Sequence, residues 1–318
     1  MTSSEKEGTV TEALAEPGFT VWSRERARHF EWVAERMMPQ PGGVPKRLIG
    51  AMRYSVLGGG KRIRPILCYA AGEVTGASAT VLDRAALALE MIHSYSLVHD
   101  DMPSMDNDTL RRGRPTCHVQ YGEALAMLAG DALQAEAFTV ISSPEVPGMI
   151  AARLTHILAR AAGVWGMCGG QALDLGMVGQ HPDIPALSQM QAMKTGAMIT
   201  ASVLMGAQAG AWEAIGDGAK AGLARYGEAL GVAFQVVDDI LDCTQDSVTL
   251  GKTAGKDEKD DKPTWVSLLT LEGARKRARE LEEEAIEALR LVTADPGAVP
   301  GCDRRLAEIA RYVINRTH

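Results

Sequence analysis

The chain has 318 residues, 46% hydrophobic and 23% charged, so it can bury a substantial core and lacks the composition of a disordered protein. Lysine and arginine number 33 against 40 acidic residues, a net charge of −7, so the basic excess typical of nucleic-acid-binding proteins is absent. Five scattered cysteines without a CxxC pair argue against a zinc site and favour reduced thiols in the cytoplasm.

Helical patterns and their breaks account for almost the whole chain. Residues 1–17 are predicted to form a disordered lead-in, and residues 18–318 a single all-α domain, one large helical bundle. Glycine and proline clusters separate predicted helices at Val21–Met38, Pro45–Leu57, Arg64–Thr75, Ala79–Asp101, Glu123–Ser142, Gly148–Trp165, Pro185–Ala211, Gly218–Cys243, Thr264–Thr293 and Asp303–Asn315. Gly169 and Gly170 are predicted to mark a junction, and a break is expected near Gly273. No alternating segment predicts a strand, and no apolar run reaches the length of a membrane span.

An aspartate cluster ends the predicted helix at Ala79–Asp101. Asp100 and Asp106 are six residues apart, about 600° of helical rotation, which places them on opposing sides of an ideal helix. Pro103 also disfavours helix at the residue before it. We therefore predict that the chain leaves the helix after Asp101 and folds Asp106 back towards it.

A second cluster, with Asp238, Asp239 and Asp242, ends another long apolar helix. Asp238 and Asp242 are four residues apart and share one face of that helix. Acids near a helix C-terminus are unfavourable to its dipole, so a solvated charged end is a weaker explanation than bound cations. Carboxylate oxygens without nearby cysteine or histidine suit Mg²⁺.

Basic residues near both clusters indicate phosphate ligands. The turn Gly58–Gly60 leads through Lys61 to Arg64 at a helix start, where backbone N–H groups and cations can bind an anion. It is not a Walker A motif, because no serine or threonine follows the lysine. Further candidates are Arg111, Arg112, Lys194, Thr195, Gln235, Lys252 and Lys262. Acids and separate basic groups together predict two diphosphates rather than one.

Several motifs follow one another in a fixed order: GGGKRIRP, HSYSLVHDDMPSMDNDTLRRGRPTCH, GDAL, GGQALDL, KT, FQVVDDILD, GKTAGKD and KPT. Over about residues 45–270 this series resembles that of the trans-isoprenyl diphosphate synthases, the polyprenyl synthetase family. It is most similar to the bacterial members that form farnesyl diphosphate, including two extra residues in the first aspartate cluster. The resemblance implies an isoprenoid synthase fold, a helical bundle around a central cavity.

The resemblance also implies a Mg²⁺-dependent prenyltransferase that joins isopentenyl diphosphate to dimethylallyl and then geranyl diphosphate, and a homodimer. Three Mg²⁺ ions on the allylic diphosphate are implied, bound by Asp100, Asp101, Asp106 and Asp238 with support from Asp239 and Asp242. The allylic diphosphate is expected on Arg111, Lys194, Thr195, Gln235 and Lys262. The diphosphate of isopentenyl diphosphate is expected on Gly60, Lys61, Arg64, His93 and Arg112. Of these, Asp100, Asp106, Lys194 and Asp238 are expected to be catalytic.

Tyr95 is the candidate determinant of product length. It lies five residues before Asp100, about one helical turn deeper, and is expected to face roughly the same cavity. Its ring is predicted to floor the pocket, because in the resembling family an aromatic residue here goes with a fifteen-carbon product. Ser96 beside it is small, so the stop depends on Tyr95; an ordinary core tyrosine is the alternative. Gln171 and Asp174 are interpreted as a polar pair supporting the second cluster.

Three rival interpretations stay open at this point. The same chemistry could stop at ten or twenty carbons, in a geranyl or geranylgeranyl diphosphate synthase. A terpene cyclase shares a first aspartate cluster but needs no second diphosphate site. A non-catalytic helical subunit would not need intact aspartate clusters at both ends of the chain.

Overall fold

The computed structural model describes residues 18–42, 45–180, 182–244 and 263–316, and these are almost entirely helical. The helices are α1 (Phe19–Met37), α2 (Lys46–Val56), α3 (Ile63–Val74), α4 (Ala79–Asp100), α5 (Cys117–Tyr121), α6 (Glu123–Ile141), α7 (Gly148–Ala162), α8 (Met167–Met177), α9 (Ile184–Gln191), α10 (Ala197–Gln208), α11 (Asp217–Thr244), α12 (Trp265–Thr293) and α13 (Asp303–Asn315). A π-helical turn, Ala192–Gly196, joins α9 to α10, and a 3₁₀ turn, Trp212–Ala214, precedes α11. The all-α prediction is confirmed.

The helix α4 runs through the interior of the bundle. Ser78 caps its first turn, accepting a hydrogen bond from the Val81 N–H. The helix carries apolar residues on all of its faces. Leu87, Leu89 and Met91 are completely buried, as expected of a central helix. The helix packs against α3, α6 and α10.

Two hydrophobic clusters form the core. One lies around α4, α6 and α7, and the other around α11, α12 and α13. The helices α3 and α10 contribute to both: on α10, Met198 faces the first cluster and Ile199 the second. These two helices therefore join the clusters.

The loop predicted after the first aspartate cluster contains a small hairpin. Strands β1 (Leu110–Arg111) and β2 (Arg114–Pro115) pair antiparallel, with Arg111 opposite Arg114. Arg112 and Gly113 connect them with φ values of 54° and 72°, the positive values of a type I′ hairpin turn. The tight turn sends the Arg111 side chain towards Asp101 and the Arg112 side chain towards Gly59.

The predicted junction at Gly169 and Gly170 is wrong, because both residues lie within α8. A Cβ atom on Gly170 would come within 2.1 Å of the backbone nitrogen of Lys194. Glycine therefore serves the close approach of α8 to the π-helical turn rather than a helix break. The break expected near Gly273 occurs at Thr270, where φ is 65° within α12.

One described helix, α6, is long and apolar enough to cross a membrane by length and composition alone, although no such span was predicted. It carries Glu123 and Asp131 and packs against α2 and α4, so contacts within the bundle explain part of its apolar character. Only 39% of its apolar window is buried, and Met127 and Leu128 are exposed.

Candidate active site

A cavity of about 440 Å³ lies between α4 and α8. From α4 it is lined by His93, Tyr95, Ser96, His99 and Asp100, and from α8 by Met167, Cys168, Gln171, Ala172 and Leu175. Arg64 and the pair Lys194 and Thr195 complete the polar part of its wall. One cavity thus brings together residues from four of the sequence motifs.

The first aspartate cluster folds back as predicted. The backbone N–H of Asp106 donates to the carbonyl oxygen of Asp100 at 2.8 Å, and that of Asn107 donates to Met102. Burial, with a further contribution from the Asp106 carboxylate, raises the pKa of Asp100 to about 6 against the attraction of Lys194. A bound cation would stabilise the ionised form of such a carboxyl group.

Asp101 is buried and already paired. Its carboxylate accepts hydrogen bonds from Nε of Arg111 at 2.7 and 2.9 Å, and Nη2 of Arg111 lies 2.6 Å away. Burial raises the pKa of Asp101 while this arginine lowers it. Arg111 therefore fixes one acid of the cluster through a bidentate contact and brings its own charge close to Asp100.

Lys194 projects from the π-helical turn into the cavity wall. Its Nζ lies 2.6 Å from Oδ2 of Asp174 on α8. Asp174 was interpreted as support for the second aspartate cluster. In the structure its carboxylate instead pairs with Lys194. A π-helical turn widens the helix by one residue, and such turns are frequent at functional sites.

Gly60 brings the glycine-rich turn against the hairpin. Its φ is 133°, and a Cβ atom here would lie 2.7 Å from the guanidinium carbon of Arg112. Arg112 donates to the carbonyl oxygen of Gly59. A side chain at position 60 would push aside the flexible end of Arg112, and a φ of 133° is strained for any residue with a Cβ atom, so glycine is favoured where these two motifs meet.

The basic residues after this turn separate into two groups. Arg62 points into the protein, where it binds Glu31 and Glu90 at 2.7 Å each and the carbonyl oxygen of Val56. Its side chain and that of Glu90 are almost completely buried. Arg62 therefore anchors the turn, whereas Arg64 lines the cavity.

The charge of Asp238 in the second aspartate cluster affects the pKa values of both Lys61 and Arg64. Burial lowers the pKa of Lys61, as does Arg316, while Asp238 raises it. Burial also lowers the pKa of Arg64, and Glu90 and Asp238 oppose this effect. The glycine-rich turn and the second cluster thus share one electrostatic environment.

His93 is a neutral residue in a cationic wall. Burial and the neighbouring arginines, Arg64 foremost, hold its pKa well below the usual range. At neutral pH it therefore adds hydrogen-bonding capacity without further positive charge.

The second cluster lies near the end of α11. Asp238 accepts a 2.6 Å hydrogen bond from Nη2 of Arg316 and a longer one, 3.4 Å, from Gln235. Asp239 accepts one from the backbone N–H of Trp265 at 2.8 Å, which ties it to the start of α12. Asp242 is buried.

Arg316 was not singled out in the sequence, because a lone arginine near the chain end belongs to no motif. Its side chain is 3% exposed and its guanidinium lies 3.9 Å from the centre of the Phe234 ring. It also donates to the carbonyl oxygen of Phe234. Cys168, whose Sγ lies 3.3 Å from the Tyr95 hydroxyl, was likewise not predicted to belong to the site.

The donor chemistry of the two clusters fits magnesium. Among the described residues no three acidic, cysteine or histidine side chains converge as a ready-made metal site. Their oxygen donors nevertheless match the ion, which is commonly bound by one or two carboxylates together with substrate phosphates. Two of the predicted phosphate ligands, Lys252 and Lys262, lie outside the described residues.

Comparison with known proteins decides the family. The family model described as polyprenyl synthetase matches residues 45–292. The chain belongs to the polyprenyl synthetase family. Like other polyprenyl synthetases it is a trans-prenyltransferase, and enzymes of this family depend on magnesium.

Individual polyprenyl synthetases resemble the chain over most of its length. It is 47% identical over 273 residues to farnesyl diphosphate synthase of Escherichia coli K12, covering 85% of this chain and 89% of the relative. Among solved structures, an FPP/GFPP synthase from Zymomonas mobilis matches with a TM-score of 0.80 at 35% identity, covering 93% and 98% of the two chains. A Helicobacter pylori geranyltransferase complexed with magnesium and isoprenyl diphosphate matches with a TM-score of 0.79 at 33% identity, covering 94% and 97%. The isoprenoid synthase fold is thereby confirmed.

Proposed function

We propose that the chain joins isopentenyl diphosphate head-to-tail to dimethylallyl and then to geranyl diphosphate, giving (2E,6E)-farnesyl diphosphate and releasing diphosphate at each step. The observation that carries this proposal is a single cavity lined by acidic Asp100, basic Lys194 and the Tyr95 ring. The identity to the E. coli farnesyl diphosphate synthase supports the same product.

The allylic diphosphate binds between the aspartate clusters in this proposal. Lys194 and Thr195 line the cavity beside Asp100. Arg111 and Gln235 reach the same group from the first and second clusters, and Lys262 serves as a further cation. Fixed positive charges at this place stabilise the negative charge that develops on the leaving diphosphate.

The diphosphate of isopentenyl diphosphate binds beside the glycine-rich turn. Gly60 and Arg112 are in contact there, and Arg64 and neutral His93 line the adjoining cavity wall. Lys61 and Lys252 add positive charge in this proposal. Because buried Arg62 is held by buried Glu90 and by the partly exposed Glu31, it positions this turn and does not bind substrate.

Three Mg²⁺ ions per site complete the proposal. Asp100, Asp101, Asp106 and Asp238 would hold them, with Asp239 and Asp242 in support. When bound, the ions supply Lewis-acid charge to the leaving diphosphate. The raised pKa of Asp100 and the oxygen-only donor set support this assignment.

The apolar part of the cavity is the proposed place of carbon–carbon bond formation. The allylic C–O bond ionises, the double bond of isopentenyl diphosphate attacks the resulting cation, and the departing diphosphate accepts the proton that is lost. Leu97 and Met167 contribute apolar surface to the cavity, and exclusion of water from it would protect the cation from quenching. Tyr95, 6% exposed, floors the pocket and ends chain growth at fifteen carbons.

Two alternatives make different products. A geranylgeranyl diphosphate synthase would use the same site with a deeper floor, and the bulk of Tyr95 argues against it. A terpene cyclase would need no second diphosphate site, whereas Arg64, Arg112 and Gly60 would form one in this proposal. Consumption of isopentenyl diphosphate separates the cyclase from the prenyltransferase in a single assay.

A cytoplasmic homodimer is the proposed form of the enzyme. The exposed apolar side chains Val119, Met127 and Leu128 on α5 and α6 suit contact with a second copy. All five cysteines are free thiols, as is usual in a reducing compartment. Light scattering on wild type and on Leu128→Glu tests the dimer, which the substitution is expected to weaken.

The metal assignment is tested by Asp100→Asn and Asp238→Asn. Each is expected to lower the rate of isopentenyl diphosphate consumption at least about 100-fold, since a preorganised electrostatic contact is lost. Circular dichroism should show the fold retained, and Glu287→Gln, on the exposed face of α12, serves as the matched acidic control. A near-normal rate in either cluster variant would refute the assignment.

A further inference from the structure

The Tyr95 ring is held by contacts from two helices. Its hydroxyl lies 3.3 Å from Sγ of Cys168 on α8. On α4 itself the ring meets the His99 imidazole edge-on, with centroids 5.8 Å apart. The hydroxyl is therefore anchored from α8.

Cys168 lies at the same depth of the cavity as Tyr95. Tyr95 precedes Asp100 by five residues on α4, and Cys168 precedes Asp174 by six on α8, which is about 7.5 and 9 Å of helix. Asp174 holds Lys194, whose charge acts on Asp100, so these two acids mark the same polar end. Tyr95 and Cys168 thus face each other across the other end.

Two contacts fix the α8 wall in place. Gly170 packs directly on the backbone of Lys194, and the ion pair of Asp174 with Lys194 fixes the next turn of the helix. A tyrosine side chain, by contrast, can rotate between staggered positions. Without its contact to Cys168, the Tyr95 hydroxyl would lose the hydrogen bond that fixes the ring, which could then turn away from the cavity.

We propose that Cys168 is a positioning residue for product length, acting through Tyr95: its thiol holds the ring across the cavity so that growth stops at fifteen carbons. This inference rests on the proposed function, because it concerns the second limit of the same cavity. Residues of two helices, α4 and α8, then form the floor of the cavity. Its position depends on the hydrogen bond between Tyr95 and Cys168.

The test is product analysis after incubation with Mg²⁺, isopentenyl diphosphate and dimethylallyl diphosphate. Cys168→Ala and Tyr95→Phe each remove one partner of the hydrogen bond, and each is expected to raise the ratio of twenty- to fifteen-carbon product at least about threefold. The double variant should do no more than either single one, since both remove the same contact. Cys168→Ser keeps a hydrogen-bonding group and should retain the wild-type ratio, as should Cys243→Ala.

The outcomes separate the two claims. If wild type fails to consume isopentenyl diphosphate, the proposed function is wrong. If wild type makes farnesyl diphosphate but Tyr95→Phe does not change the ratio, only the role of Cys168 is wrong. A shift in Cys168→Ser equal to that in Cys168→Ala would also overturn it, because side-chain volume would then be the cause. Tyr95→Phe keeps the test usable if Cys168→Ala does not fold.

Discussion

The guanidinium of Arg316 lies 2.6 Å from a carboxylate oxygen of Asp238, although 78 residues separate the two in sequence. The end of α13 is thereby fastened to the second aspartate cluster. The same arginine lowers the pKa of Lys61, so it adds to the positive potential beside the glycine-rich turn. One side chain near the chain end thus joins two parts of the site.

Arg316→Gln should destabilise the protein in a way that depends on magnesium. In EDTA the loss of a charged hydrogen bond is expected to lower the free energy of unfolding by about 1.5 kcal/mol. With Mg²⁺ and inorganic diphosphate the difference should shrink, because another cation then compensates Asp238. Urea denaturation in the two buffers measures both values; an equal loss in each would contradict this role.

The buried pair of Arg62 and Glu90 anchors the glycine-rich turn, and its side chains are 1% and 3% exposed. Glu90→Ala leaves a buried arginine with one carboxylate fewer and should cost about 3 kcal/mol or more of unfolding free energy. Glu287→Ala removes an exposed pair with Arg290 and should change stability by less than about 0.5 kcal/mol. Equal effects of the two substitutions in urea denaturation would speak against the anchor.

His93 should make the protein less stable in mild acid. Because its folded pKa lies well below that of the unfolded chain, its contribution is fully present above the unfolded value of about 6.5. As the pH falls below that value, the unfolded chain takes up a proton and stability drops by up to about 1.4 kcal/mol per pH unit. His93→Asn should flatten this dependence between pH 6.5 and 5, as measured by urea denaturation. A variant with the wild-type slope would show that His93 titrates normally.

Tyr95→Ala should change the product rather than the chemistry. Removal of the ring opens the floor, so products of twenty carbons or more are expected to replace farnesyl diphosphate. Ser96→Ala is the control, because this small residue donates to the carbonyl oxygen of His93 and does not close the pocket. Chain lengths are measured by mass spectrometry, and an unchanged length for Tyr95→Ala would identify Tyr95 as an ordinary core residue.

Local rules were sufficient for the long helices and the first aspartate cluster. Pro103 and the helical angle between Asp100 and Asp106 predicted that the chain turns back, and the 2.8 Å hydrogen bond between their backbones has this geometry. The same rules misread Gly169 and Gly170, because a glycine needed for helix contact looks in sequence like a glycine that ends a helix.

Contacts distant in sequence could not be predicted from a single chain. The partners of Asp238, Lys194 and Arg62 come from other helices, and no motif marks Arg316 or Glu90. The motif series did include Arg64, Asp100 and Lys194, which line the cavity, yet it did not indicate that Cys168 touches Tyr95. The placement of α4 and α8 on either side of the cavity determines that contact.

Product analysis of the purified wild-type chain tests the central claim most directly. The chain is incubated with Mg²⁺, dimethylallyl diphosphate and excess isopentenyl diphosphate, and the product and released diphosphate are quantified. The account predicts a fifteen-carbon diphosphate as the main product, with two isopentenyl diphosphates consumed and two diphosphates released for each. Release of diphosphate from the allylic substrate without consumption of isopentenyl diphosphate would contradict it.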